Sequence, residues 1–83
     1  MVLDKNRRAV CSAVARILHQ ERLKRGLTLA AVAAKAGLSY QMVSFVEKEM
    51  RNPTLDTLLR IAAALEVDLA KIIGRALKST AGR

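Results

Sequence analysis

The sequence predicts an all-α protein, a compact five-helix bundle formed by a single domain of 83 residues. Three observations favour this fold class. Ala and Leu dominate the apolar residues, which make up 52% of the chain, and no segment shows the strict alternation typical of a β-strand. Polar or glycine-containing breaks separate the apolar segments at intervals that suit helices.

The first predicted helix runs from about residue 5 to residue 25. This helix carries an apolar stripe at helical spacing: Val10, Val14, Ile17 and Leu18. Gly26 comes after the basic stretch ERLKR and suits a C-terminal cap. The core is expected to span residues 10 to 77, and the polar, basic ends MVLDKNRR and KSTAGR are expected to be frayed.

The next two helices are short and closely spaced. Thr28 is a suitable N-cap for a second helix over residues 29–36, and Ser39 for a third over residues 40–48. Gly37 can adopt a positive φ where the second helix ends. Since about three residues join the two helices, they must cross steeply, as in a helix-turn-helix. Small or apolar side chains are expected on their inner face: Val32, Ala33, Ala36, Leu38, Val43 and Val46.

A turn at Arg51-Asn52-Pro53 precedes the last two predicted helices. Thr54 caps a fourth helix over residues 55–65, and Asp68 caps a fifth over residues 69–77. The apolar face of the fourth helix is Leu58, Ile61, Ala62 and Leu65. That of the fifth is Leu69, Ile72, Ile73 and Leu77.

The charge balance indicates a polyanionic partner. Lys and Arg number 15 against 7 acidic residues, so the net charge is +8 and the pI is about 10.6. Nucleic acid is favoured over a membrane because no unbroken apolar run is long enough to span a bilayer. The start MVLDKNRR lacks the apolar core of a signal peptide, so a cytoplasmic location is expected.

Catalysis, metal binding and cofactor binding are not expected. One cysteine excludes an intrachain disulfide, and Cys11 and His19 alone cannot form a metal site. Cys11 is interpreted as a small apolar helix residue and His19 as a solvated one. The sequence has no nucleophile–base pair, no carboxylate pair and no phosphate-binding glycine loop, so we expect no enzyme and no small-molecule ligand.

The segment GLTLAAVAAKAGLSYQMVSFVEKEMRNPTLDTLLRIAAALEV resembles the Cro/phage-repressor type of helix-turn-helix, the XRE-like family with a lambda-repressor-like DNA-binding domain. The resemblance covers roughly residues 22–72. Its most distinctive stretches are GLT at 26–28, AGLS at 36–39, VSFVE at 43–47 and RNP at 51–53. It implies a dimeric transcriptional regulator that binds double-stranded DNA, with the third helix as the recognition helix in the major groove.

The resemblance implies base contacts from four side chains near the start of the third helix: Tyr40, Gln41, Ser44 and Phe45. Gln41 can bond adenine in bidentate fashion, and Phe45 can contact a thymine methyl. A lone Phe is usually a core residue, but Val43 and Val46 already take the inward positions here. Tyr40 could alternatively pack on the surface; the family pattern favours DNA.

Phosphate contacts are implied at the two helix starts and after the recognition helix: Thr28, Leu29, Ser39, Lys48, Arg51 and Asn52. The resemblance also implies an internal ion pair between Arg22 and Glu47. Three positions depart from the family pattern, which has Gln at position 29, Glu at position 31 and Gly at position 49. Leu29 is therefore expected to be exposed near DNA, and Glu49 must either extend the helix or accept an unfavourable turn conformation.

The fifth helix carries more apolar surface than a small core needs. We therefore place a dimer interface at Leu69, Ile72, Ile73 and Leu77, with the loop 50–55 nearby. The favoured function is a homodimeric regulator on a palindromic operator. The alternative is a small basic interaction module, such as an antitoxin-like partner binder. The operator sequence, and repression versus activation, stay open.

Overall fold

Five α-helices account for most of residues 4–80, the part of the chain that the computed structural model describes. They are α1 (Asp4–Lys24), α2 (Leu29–Ala36), α3 (Tyr40–Glu47), α4 (Leu55–Leu65) and α5 (Leu69–Thr80). No strand occurs among these residues. The predicted fold class is confirmed, and the predicted bounds of α2 and α4 are those observed.

The ends of the described chain differ from the prediction. Helix α1 already begins at Asp4, and α5 continues to Thr80, past its predicted end at residue 77. The fraying of these terminal turns stays a prediction. The hydroxyls of Ser79 and Thr80 each donate to the carbonyl oxygen of Ala76 at 3.0 Å. The rest of the predicted frayed ends, residues 1–3 and 81–83, lies outside the described residues.

Side-chain caps start the four later helices. Each cap accepts a hydrogen bond from a backbone N–H in the first turn, which satisfies one of the donors that a helix start leaves unpaired. The bonds are Ala31 to Thr28 at 3.0 Å, Met42 to Ser39 at 3.1 Å, Thr57 to Thr54 at 3.1 Å and Ala70 to Asp68 at 2.9 Å. All four predicted caps are thus present.

The core lies between the long helix α1 and the four shorter helices. Helix α5 packs most extensively along α1, while α2 packs against both α3 and α4. The largest fully buried side chains come from every helix except α5: Leu18, Val32, Val43, Val46 and Leu65. The predicted inner face of α2 and α3 is buried at every position except Leu38, which is half-buried against this core.

The chain bends by 114° between α2 and α3. Gly37 makes this bend with φ 69°, in the left-handed region that a side chain disfavours. The N–H of the next residue, Leu38, then bonds the carbonyl of Ala33 at 3.0 Å. The steep crossing predicted from the short connection is confirmed.

No single helix within residues 4–80 is long and apolar enough to cross a membrane. Helices α2 and α3 pass such a test of length and composition together, as a sharply bent pair. Their apolar faces lie in the protein core, with Val32 and Val43 fully buried.

Glu21 is a buried acidic residue that joins α1 to α5. It pairs with Arg25, which directly follows the end of α1, and lies 3.6 Å from the guanidinium of Arg75 on α5. The hydrogen bond from Arg25 lowers the pKa of Glu21 below its ordinary value of 4.5; the positive charges of Arg25, Lys24 and Arg75 lower it further, against the opposing effect of burial. The sequence interpretation did not identify this cluster.

Candidate nucleic-acid interface

The first turn of α3 presents two exposed side chains at a capped helix start. The Ser39 hydroxyl holds the backbone of this turn, and Tyr40 and Gln41 follow it. Tyr40 is 55% exposed, and Gln41 is also exposed. On the opposite side of the helix Val43 and Val46 are buried, so the core fixes which side of α3 these residues occupy.

Ser44 differs from the prediction that it faces a ligand. Its exposure is 7%, and it lines a small cavity of about 170 Å³ with residues of α1, α2 and α3. The reason is helical geometry: Ser44 lies three residues before Glu47, whose side chain points to α1. Ser44 is thus a small buried residue beneath the surface, and the predicted base-contact set loses one member.

Phe45 is half-buried and does not join the hydrophobic core. The guanidinium carbon of Arg51 lies 5.3 Å from the centre of its ring, a cation–π contact. This contact links the last part of α3 to the loop that follows. Arg51, its neighbour Asn52 and Lys48 at the end of α3 are all exposed, so these predicted phosphate contacts are free to meet solvent or a ligand.

The start of α2 holds the other predicted phosphate contacts. Thr28 is exposed, and its hydroxyl is already the cap of this helix. Leu29 is half-buried and packs against the hydrophobic core. The expectation that Leu29 is exposed is therefore wrong, and its apolar side chain has a packing role where the family pattern has a polar one.

Arg22 and Glu47 form the predicted ion pair beneath this surface. Arg22 Nε lies 2.7 Å from Glu47 Oε2, and Nη2 lies 3.0 Å from Oε1. The side chains are 10% and 8% exposed, and Arg22 Nη1 also donates to the Leu27 carbonyl at 2.9 Å. A single buried guanidinium thus ties α1 to the end of α3 and to the loop before α2.

His19 also belongs to this cluster. Its Nδ1 lies 2.6 Å from Glu47 Oε1, and its side chain is 43% exposed. His19, interpreted from the sequence as a solvated residue, is thus partly exposed and also contacts Glu47. The signal was present in the sequence: His19 lies three residues before Arg22, on the same side of α1.

Glu49 follows α3 in a left-handed conformation with φ 60°. Of the two outcomes that the sequence allowed, the structure therefore has the unfavourable turn. The carboxylate of Glu49 accepts a hydrogen bond from the hydroxyl of Ser12 on α1. This hydrogen bond thus compensates part of the backbone strain, whereas a glycine at this position would have no such strain.

The apolar side chains of α5 fall into two groups. Leu69 is 7% exposed and Ile72 is 2% exposed, because both pack into the core of the protomer. Their burial removes them from the predicted dimer interface. Ile73 is half-buried, and Leu77 is 45% exposed, so these two remain available.

Other large apolar side chains are also exposed, on α1, on α4 and in the loop 50–55 that the sequence analysis placed near the dimer interface. Leu55 and Leu59 lie one turn apart on α4 with exposures of 63% and 51%. Met50 in the preceding loop is 64% exposed, and Leu23 on α1 is 56% exposed.

Cys11 is a free, exposed thiol on α1. Within residues 4–80, no group of three or more His, Cys, Asp or Glu side chains could hold a metal ion.

Comparison with known proteins is consistent with this architecture. The helix-turn-helix family model matches residues 18–72, which extend from the middle of α1 into α5. An uncharacterized HTH-type transcriptional regulator, y4dJ of Sinorhizobium fredii, is 40% identical over 52 residues. The match covers 63% of this chain and 68% of that protein. No solved structure matches the chain.

Proposed function

Because this chain belongs to the XRE-like helix-turn-helix family of transcriptional regulators, we propose that it binds one specific DNA sequence as a homodimer on a palindromic operator. The observation that carries the proposal is the first turn of α3. Tyr40 and Gln41 are exposed there, at the start of the second helix of the motif, while the opposite face of α3 is fixed in the core. Recognition helices read base edges in the major groove with such N-terminal residues.

Gln41 is the proposed base reader, since its amide can donate to N7 and accept from N6 of one adenine. Tyr40 contacts a base or a phosphate beside it. Phe45 is half-buried under Arg51, so its exposed edge is left for a thymine methyl. Ser44 has no part in this readout because it is buried.

Backbone contacts would flank the recognition helix. Lys48, Arg51 and Asn52 are exposed just after α3, and the free amides at the start of α2, near Thr28 and Leu29, suit a phosphate. The Ser39 oxygen accepts the N–H of Met42 in the α3 cap, so its O–H can still donate to a phosphate oxygen. With a net charge of +8, such contacts release counterions from DNA and make binding dependent on salt.

The dimer in this proposal uses the exposed part of α5 around Leu77, whereas Ile73 is half-buried against the core. Two-fold symmetry would place two recognition helices about 34–36 Å apart, one turn of DNA, and so require a palindromic site. Exposed Met50, Leu55 and Leu59 favour a second candidate, a module that binds another protein through α4. The two candidates differ in whether DNA is bound at all.

Selection of bound sites from random double-stranded DNA tests the proposal directly. We expect a palindromic consensus, and an affinity for it that falls with salt with a slope of about −0.9 per neutralised phosphate. Selection with Gln41→Ala should lose information at one position in each half-site. Failure of the wild-type protein to enrich any sequence would favour the protein-binding candidate.

A further inference from the structure

A groove of about 590 Å³ lies between the first half of α1, the loop after α3 and the middle of α5. This volume is within the range of about 300–1,000 Å³ that is usual for small-molecule sites. Tyr40 and Gln41 do not line it, so it is separate from the proposed base-reading turn.

The floor of the groove is apolar. Val14 and Val46 are buried there, and Val10, Leu58 and Ile73 are half-buried against the core. Each of the three half-buried side chains leaves part of its surface uncovered. An apolar molecule in the groove would remove that surface from water, which favours binding.

The rim of the groove is positively charged. Among the described lining residues are Arg7, Arg8 and Arg51, against one carboxylate, Glu49. That carboxylate already accepts a hydrogen bond from Ser12. Arg8 and Arg51 are exposed, so their guanidinium groups can reach an anion, for which their planar donor geometry is suited.

From this combination we propose that the groove binds a small amphipathic carboxylate, with its apolar body on the floor and its carboxylate at Arg8 and Arg51. A second copy of the chain fits the groove less well, because it carries the same charge of +8 and would meet a rim of the same sign. Furthermore, the large apolar side chains that protrude from the protein line no part of the groove: Leu23, Tyr40, Met50, Leu55, Leu59 and Leu77. Apart from Tyr40, which belongs to the proposed DNA-binding turn, these are the side chains that a face between copies would use.

Arg51 connects the groove to the recognition helix. It lines the groove and also stacks on Phe45 of α3. A carboxylate that pairs with Arg51 takes this guanidinium away from a DNA phosphate, so ligand and DNA weaken each other's binding by the same factor. This coupling rests on the proposed function, whereas binding in the groove does not.

Cys11 supplies a reporter, because it is exposed and lines the groove. The rate of its alkylation by iodoacetamide would be followed by mass spectrometry while octanoate is titrated. We expect saturable protection by octanoate, and clearly less by octan-1-ol or octylammonium, which share the apolar chain without the negative charge. Absent protection, or equal protection by all three compounds, would overturn the proposal.

Two matched variants sharpen this test. Arg8→Gln should weaken octanoate protection several-fold, while Arg16→Gln should not, since Arg16 is an exposed arginine of α1 that does not line the groove. A further control is Ala34→Cys in a Cys11→Ser background, because position 34 is exposed on α2. Its thiol should be alkylated at the same rate with or without octanoate. Equal effects of the two arginine variants would show that general charge, and not the groove, attracts the anion.

The coupling is tested by DNA binding in the presence of octanoate. We expect the dissociation constant for the selected site to rise several-fold with the wild-type protein and to change less with Arg8→Gln. Protection of Cys11 without any change in DNA affinity would overturn the coupling and leave the site. A protein that binds no DNA would refute the proposed function, while the alkylation assay still decides the groove.

Discussion

Arg22 of α1 and Glu47 of α3 are joined by two hydrogen bonds, of 2.7 and 3.0 Å, with both side chains about nine-tenths buried. Burial of this kind makes a pair costly to break, because the remaining partner keeps an uncompensated charge away from water. The pair also fixes the end of α3 relative to α1.

A double-mutant cycle should reveal this coupling. We expect Arg22→Met to destabilise the fold by about 3–5 kcal/mol, and Arg22→Met with Glu47→Leu to recover much of that loss. Recovery should be incomplete, because the Leu27 carbonyl also loses the bond from Arg22. Urea denaturation of the four proteins gives the free energies, and strictly additive losses would mean that the two side chains do not interact.

Backbone strain at Glu49 leads to a second prediction. Glu49→Ala and Glu49→Gly both remove the bond from Ser12, so their difference reports the left-handed conformation with φ 60°. The glycine variant should be more stable by about 1 kcal/mol, since it has no Cβ to clash with the backbone. Glu66, with φ 58°, offers a matched control, for which the same order of alanine and glycine is expected in thermal denaturation.

Glu21 should contribute a pH-dependent part of the stability. Its pKa is lowered in the folded protein, chiefly by Arg25, so the folded state favours the charged carboxylate. The contribution is present above the ordinary value of 4.5 and is lost as the pH falls through the lowered pKa. Glu21→Gln should therefore lose stability less steeply in this acidic range than the wild type, which urea denaturation at a series of pH values measures.

Local signals explain which parts of the fold could be predicted. A cap acts within one turn, so Thr28, Ser39 and Thr54 mark helix starts whatever packs around them. Gly37 likewise marks the turn, because a positive φ is a property of a single residue. These signals require no knowledge of distant contacts.

The parts that could not be predicted depend on contacts between helices. The periodicity of α5 identifies an apolar stripe, but the packing of α1 decides that Leu69 and Ile72 are covered and Leu77 is exposed. Similarly, Ser44 is buried because Glu47 and its partners on α1 lie beside it. A family pattern predicts on which side of a helix a residue lies. How deeply its side chain is buried depends on the neighbouring residues of the particular protein.

Readout by Gln41 can be separated from backbone binding by Arg51. Gln41→Ala should cost about 1–3 kcal/mol at the selected site and relax discrimination at one base position, because a bidentate contact is lost. Arg51→Ala should weaken selected and random DNA alike and reduce the salt slope by about 1. Fluorescence anisotropy measures both, with Gln20→Ala, an exposed glutamine of α1, as the neutral control. Equal losses of Gln41→Ala on selected and random DNA would mean that Gln41 does not read a base.

The position of a dimer interface can now be tested with single substitutions. Leu77 is 45% exposed on α5 and Leu23 is 56% exposed on α1, so either leucine can be replaced by Glu without disturbing the core. If the proposed interface is right, Leu77→Glu buries a charge between the subunits and should give a folded monomer with weak binding to the palindrome. Leu23→Glu should remain dimeric, as we expect of the wild type at micromolar concentration in sedimentation.

Ile73→Glu is less informative alone, because Ile73 also packs on the core of its own protomer. Dissociation by Leu55→Glu or Leu59→Glu, with Leu77→Glu still dimeric, would instead place the interface on α4.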